Sequence, residues 1–266
     1  MSRIVTDSNA NTVYKNYSRN QMALSSSMER LSTGLRINRA SDDPSGLAIS
    51  ETLRSQVKNT DAVIDVIANA SNFLNTGDGY LQTVQDMLGR MGELAVKLGD
   101  ATLTTTDKNN IVGEFNALKG EIDNVFSAAK FNGGAIFGAA KTLIADANGA
   151  EFTISSSALA TLATAAVATI AATSAASTAL SEVATAIGTV SSQRALIGAA
   201  QSQLNFKTAA LQNYSENASA AESRIRNVDM AKESSNFSRN QIMMQASTAM
   251  LAQANAISQN VLSLLK

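Results

Sequence analysis

The sequence predicts a mainly α fold, an elongated antiparallel helical bundle or coiled coil with a small β-hairpin region at its distal end. Three observations predict it. The chain of 266 residues contains a single proline, Pro44. Helix interiors exclude proline, because it lacks the N–H and clashes with the preceding turn. Hydrophobic residues make up 45% of the chain and aromatics only 5%, with no Trp. Such a core is Ala, Leu, Ile, Val and Met, suited to helix-on-helix packing rather than to aromatic anchors. These apolar residues also recur every seven positions over long stretches, which implies helices supercoiled left-handedly against partners.

The first helix is expected from about Val13 to Leu35. Its stripe is Tyr17, Gln21, Leu24, Met28, Leu31 and Leu35, spaced alternately by four and three. A second begins near Pro44. Asp43 can cap it, its carboxylate accepting an orphan backbone N–H, and Pro44 then takes the first helical position, where its missing N–H costs nothing. From there Leu53, Thr60, Ile67, Leu74, Leu81, Leu88 and Ala95 are strictly seven apart. Val57 and Ile64 fill the companion positions early, and Val84, Met91 and Leu98 do so later. Unbroken from Glu51 to Leu98, this helix would be about 70 Å long. Gly77 and Gly79 mark its weak point, where a kink would fall.

Thr104–Asp107 supplies a cap for a third helix with the stripe Ile111, Phe115, Leu118, Ile122, Val125 and Ala129. Phe131-Asn132-Gly133-Gly134 breaks it. Thr142–Ile144 and Glu151–Ile154, on either side of Asp146-Ala147-Asn148-Gly149, read as a small hairpin. Residues 156–179 are rich in Ala, Ser and Thr. The charge-free run Ala158–Leu180 is long enough to span a bilayer but far less apolar than a Leu- or Ile-rich span. It is expected to be a short connection running into helix. In the fourth helix Val183, Val190, Ile197, Leu204, Leu211, Ala218 and Ile225 are again seven apart. After a break at Arg226–Asp229, helical pattern resumes through Phe237, Ile242, Met243, Met250, Leu251, Ala254, Ile257, Val261 and Leu264. The halves mirror each other, so the simplest packing brings both ends together in one bundle and both inner helices together in another.

Composition excludes most chemistry. There is no Cys and no His, which removes Ser-His-Asp and Cys-His nucleophile systems and the common zinc sites. No catalytic residue, cofactor or metal is expected. Asp42 and Asp43 are sufficiently explained by capping. Gly77-Asp78-Gly79 lacks the spaced acids of a calcium loop and the Lys-Ser/Thr of a phosphate cradle. A net charge of −1 gives no general attraction to nucleic acid or to an anionic membrane. The N-terminal stretch shows no apolar run or small-residue cleavage site of a secretory signal. Neither nucleic-acid binding nor membrane insertion is expected.

The last segment points to assembly. From Phe237 to Lys266 there is no acid, and the charges are Arg239 and Lys266. Met243, Met250, Ile257 and Leu264 are seven apart, as are Met244, Leu251 and Leu265 around Ser258. One short N-terminal helix cannot cover both stripes. An exposed apolar surface of that extent marks an interaction site.

The stretch from Leu31 to Ser50, Leu-Ser-Thr-Gly-Leu-Arg-Ile-Asn-Arg-Ala-Ser-Asp-Asp-Pro-Ser-Gly-Leu-Ala-Ile-Ser, resembles the N-terminal signature of bacterial flagellins. Glu93-Leu94-Ala95-Val96 looks like the inner-helix motif of that family, and Phe131-Asn132-Gly133 like its turn. Ser191-Ser192-Gln193-Arg194-Ala195 and the run Gln245–Asn255 look like its C-terminal signatures. The resemblance covers about residues 1–138 and 181–266.

It implies a terminal-helix domain, 1–43 with 226–266, lining a filament core, and a rod domain, 44–225. The outer domains of larger flagellins are expected to be absent. The implied function is that of a structural subunit polymerising with itself, as a helical homopolymer, into the flagellar filament for motility. Self-association would use Leu24, Leu31 and Leu35 of the first helix with Met250, Leu251, Ile257, Val261 and Leu264 of the last. Implied partners are a flagellar export chaperone, the type III export apparatus, and the filament cap and hook–filament junction proteins. Toll-like receptor 5 is a further implied partner, through a rod-face patch at Arg90, Glu93, Leu94 and Glu114. Gly92 stands where many members have Arg, and Ser258 where many have Pro. The implied location is the secreted, extracellular filament, or the periplasm for a spirochaete. The alternative is a flagellin-like hook–filament junction protein.

Overall fold

The computed structural model describes residues 8–137, 141–144, 146, 149, 151–154 and 176–263. The connection expected over 156–179 therefore falls almost wholly outside the described residues. The five helices described are α1 (Ser8–Thr33), α2 (Pro44–Leu98), α3 (Thr105–Ala128), α4 (Ala176–Arg226) and α5 (Met230–Ser263). Four short strands, β1 (Lys130–Phe131), β2 (Gly134–Ala135), β3 (Lys141–Ile144) and β4 (Glu151–Ile154), form two antiparallel pairs, β1–β2 and β3–β4.

Each boundary has a local cause. Gly34, at φ 71°, ends α1 in the left-handed conformation, its N–H bonded to the Arg30 carbonyl at 2.9 Å. Asp43 caps α2 as expected, its Oδ1 accepting the Gly46 N–H at 2.8 Å. With no later proline, α2 continues for 55 residues. A reciprocal capping box starts α3: Thr104 Oγ1 accepts from the Asp107 N–H at 3.3 Å, and the Thr104 N–H donates to Asp107 Oδ2 at 3.2 Å.

The Asn-Gly after α3 does more than break the helix. Asn132 and Gly133 both have positive φ, 49° and 79°, and close β1–β2 in a two-residue turn of the kind that matches strand twist. The second hairpin pairs Lys141 with Ile154 and Ile144 with Glu151, one residue longer at Lys141 than the sequence suggested.

The chain packs as two compact units, one of Met1–Ser55 with Asn217–Lys266, the other of Gln56–Glu216. In the second unit α2 and α4 run antiparallel. Gln201 on α4 donates to Asn75 on α2 at 2.8 Å, and farther along α4 Tyr214 donates to Gln56 at 2.7 Å. Between them lie the buried seams, Ile67, Leu74, Leu81 and Leu88 against Val183, Val190, Ile197 and Leu204. The side chains of Phe115, Ile122 and Phe126 join this core from α3, and Ile136 and Phe137 from the hairpin region. The rings of Phe126 and Phe137 meet edge to face at 5.1 Å.

One expectation about α2 needs correction. The companion seam of α2 is Val63, Ala70 and Gly77 followed by Val84, Met91 and Leu98, all buried, whereas Val57 and Ile64 are only half-buried. The helix runs unbroken through Gly77. This glycine is buried, and a Cβ there would lie 3.3 Å from Ile136 Cγ2, so it is a close-packing position.

Candidate functional site

In the first unit the terminal helices α1 and α5 pair antiparallel. Asn20 Nδ2 donates to Ser247 Oγ at 2.8 Å and to the Met243 carbonyl at 3.3 Å, while Asn240 Nδ2 donates to Ser27 Oγ at 3.4 Å. These bonds fix the α1 seam as Val13, Tyr17, Asn20, Leu24, Ser27 and Leu31. Asn20 and Ser27 take the positions expected for Gln21 and Met28, both of which are exposed. Small polar side chains that bond across the pair rotate the seam by one residue at those turns. The seam contains little apolar core. Among the described side chains of α1 and α5, only Ser27 and Glu233 are buried, and both are polar. Glu233 borders a cleft lined by the charged residues Arg30, Arg36, Arg224, Asp229 and Lys232.

The loop between α1 and α2 ties this pair to the end of α4. The Arg36 N–H bonds the Arg226 carbonyl at 2.6 Å, and the Val228 N–H bonds the Gly34 carbonyl at 3.0 Å. The Arg36 guanidinium reaches the Ile225 carbonyl at 2.8 Å, satisfying an orphan carbonyl at a helix C-terminus. Arg226 pairs with Glu51 at 2.6 Å. Asp42 Oδ2 accepts the N–H groups of Asn38 and Arg39 at 3.1 and 3.0 Å, and these bonds hold its carboxyl below the usual value near 3.8. Gly46 admits no side chain, since a Cβ would stand 2.4 Å from Asp43 Oδ2 and 2.8 Å from the buried Ile37. The run from Gly34 to Gly46 thus encodes a helix stop, a tie to α4, a turn, a cap and a close contact.

The outer faces of the pair carry large apolar side chains among polar ones. Tyr14, Met22 and Met28 of α1 and Met230, Ile242, Met243 and Met250 of α5 are between 49% and 64% exposed. Of the candidate self-association residues, only Met250 has a described side chain on this surface. Leu24, Leu31 and Leu251 are half-buried and lie along the α1–α5 contact within the chain. Leu35 is half-buried in the loop, bridged to Asn227. The Ile257 and Val261 side chains, and Leu264 entirely, lie outside the described residues. The sequence reading overlooked Tyr14 and Met22. Met22 is on the side of α1 opposite the seam, a signal available once Asn20 and Ser27 are taken as seam residues.

The second candidate patch lies across α2 and α3. Arg90 donates to Glu114 Oε1 from Nε and Nη2 at 3.0 and 2.8 Å, and to Glu93 Oε2 at 2.8 Å. These bonds, Glu114 first, raise the guanidinium pKa above its ordinary value. All three side chains are exposed, but Leu94 is 1% exposed and belongs to the core. It follows Met91 by three positions, on the buried face of α2, and cannot be touched from outside. Gly92 is half-buried, and a Cβ there would lie 3.7 Å from Val183.

Among the described residues no group of three or more metal-ligating side chains could hold an ion, and no helix is long and apolar enough to cross a membrane.

Comparison with known proteins agrees with this arrangement. The family model for the bacterial flagellin N-terminal helical region matches residues 4–142, and that for the C-terminal helical region matches residues 180–265. Between them remain residues 143–179, room for the β3–β4 hairpin and a connection but not for a further domain. The flagellin of Bacillus subtilis (strain 168) is 38% identical, covering 94% of this chain and 95% of its own. Flagellin FlaB2 of Treponema pallidum (strain Nichols) is 35% identical and the flagellar filament 33 kDa core protein of Treponema phagedenis 34%, each over 92% of this chain and 93% of its own. The family is one of structural filament proteins rather than enzymes. The chain belongs to the bacterial flagellin family and is a self-associating structural subunit of the flagellar filament.

Proposed function

We propose that the exposed faces of α1 and α5 are the surface through which subunits join. One observation carries the reading: the terminal pair buries no apolar side chain among those described, yet exposes seven large ones. Such a surface is poorly used by one subunit and is an interaction site by its extent. On this reading residues 1–43 with 226–266 line the filament core, and residues 44–225 form the domain outside it. Met250 contributes directly. Leu24, Leu31, Leu35 and Leu251 act by holding the α1–α5 pair in shape, and Ile257, Val261 and Leu264 extend the Met250 stripe.

The proposal extends to partners and place. The subunit travels through the type III export apparatus with a chaperone on its C-terminal helix, and joins a filament bounded by cap and junction proteins. The filament is extracellular, or periplasmic in a spirochaete. Arg90, Glu93 and Glu114 form a charged patch available to a neighbouring subunit or to Toll-like receptor 5, with Leu94 supporting it from beneath.

Ile242→Asp tests the assembly surface. Ile242 is 64% exposed, so the subunit should fold as before. Burying such a side chain between subunits is worth ~1.5–3 kcal/mol, and each 1.4 kcal/mol is a factor of ten. The critical concentration for polymerisation should rise at least roughly tenfold, with an unchanged circular dichroism melt. Normal filament growth by the variant would refute the assignment.

A further inference from the structure

We propose that the exposed methionines of the terminal helices make assembly sensitive to peroxide, which oxidises them on the free subunit and blocks its addition to a filament. The inference rests on the assembly surface described above. The chain has nine methionines and no cysteine. Met22, Met28, Met230, Met243 and Met250 are 49–63% exposed, whereas Met91 is fully buried and Met87 and Met244 are half-buried. Every exposed methionine among the described residues therefore lies on α1 or α5, outside their mutual seam. With no thiol to compete, these thioethers are the sulfur that a peroxide meets first.

The step is a two-electron oxidation. A sulfur lone pair attacks one oxygen of hydrogen peroxide, the S–O bond forms and the O–O bond breaks. The departing hydroxide takes the proton from the transferred oxygen and leaves as water. Sulfur is oxidised to the sulfoxide and peroxide is reduced. The product is polar where the thioether was apolar. On the free subunit the new oxygen is hydrated and touches nothing the fold depends on. On joining a neighbour it must give up that water against an apolar surface, and an unpaired buried polar group is unfavourable. Filaments already formed shield the same sulfurs. Sulfoxides are reversible by reductases, which makes the change a switch rather than only a lesion.

The test uses the full-length chain, as monomer and as preformed filaments, exposed to hydrogen peroxide. Peptide mass mapping follows each methionine, and sedimentation gives the critical concentration. In the monomer the five exposed methionines should oxidise before Met91. The critical concentration should then rise roughly tenfold while the circular dichroism melt stays the same. Methionine sulfoxide reductase should restore assembly, and Met230, Met243 and Met250 should oxidise more slowly in filaments. For the quintuple variant Met22→Leu, Met28→Leu, Met230→Leu, Met243→Leu and Met250→Leu, the ratio of treated to untreated critical concentration should stay near one, whatever its starting value. An unchanged critical concentration for the oxidised chain, equal oxidation in monomer and filament, or the same rise in the quintuple variant would overturn the proposal and leave the assembly surface standing. Failure of the untreated chain to polymerise would overturn both.

Discussion

Asp42 shows how much one side chain can organise. Its carboxylate holds two backbone N–H groups of the loop between α1 and α2. Those bonds favour the charged form, so the folded pKa is depressed below the unfolded value near 3.8. The contribution is complete above the unfolded pKa and disappears as pH falls through the folded one. The protection of the Asn38 and Arg39 amides, taken relative to their intrinsic exchange rates, should therefore fall on acidification below about pH 4. Asp42→Ala should show the faster exchange already at neutral pH, without the acid step. A wild-type loop whose protection is unaffected by acid would show that other contacts hold it. The neighbouring Asp43 was legible as a cap because Asp-Pro is a local signal. The turn made by Asp42 was not, because it depends on the path the loop takes back toward its own residues.

Among the elements, the long helices were the most legible. Seven-residue spacing over α2 and α4 identifies Leu74, Leu81, Val190 and Leu204 as seam residues because period and burial report the same face. In α1 the apolar stripe misled, since Asn20 and Ser27 carry the contact and Met28 lies outside it. A rule that assigns apolar residues to seams fails where the seam is polar. The β1–β2 hairpin was hidden for a different reason, since an Asn-Gly turn reads as a breaker until the strands beside it are seen. Leu94 was misplaced because family motif and helix face are different kinds of information. The seams themselves can be tested. Leu204 is 1% exposed and Leu196 is 53% exposed on the same helix. Leu204→Asp buries an unpaired carboxylate and should collapse the cooperative melt. Leu196→Asp should change stability by no more than about 0.5 kcal/mol. Equal effects from the two would mean that the α2–α4 seam contributes little.

For the whole molecule, the two units divide their apolar residues differently. The Gln56–Glu216 unit buries a core of Leu, Ile, Val and Phe side chains, although Val96, Leu196 and Phe206 stay exposed, while the terminal pair buries only polar groups among its described side chains and leaves seven large apolar ones exposed. On the proposed assembly surface, removal of those side chains from water would be deferred from folding to growth of the polymer, with a thermal consequence. Apolar burial near 25 °C is driven by entropy and carries a large negative heat-capacity change, so it weakens on cooling. Filament growth should accordingly have an enthalpy near zero at about 25 °C and turn endothermic on cooling, and calorimetry at several temperatures should give a negative heat-capacity change. Subunits chilled toward 0 °C should need a higher concentration to grow than the same subunits at 25 °C, while the folded Gln56–Glu216 unit persists through the same range. Growth that strengthened steadily on cooling would show polar contacts to be the dominant ones. The buried hydroxyl of Ser27, at the centre of the α1 seam, would on this proposal leave cohesion to be supplied by warmth and by neighbours.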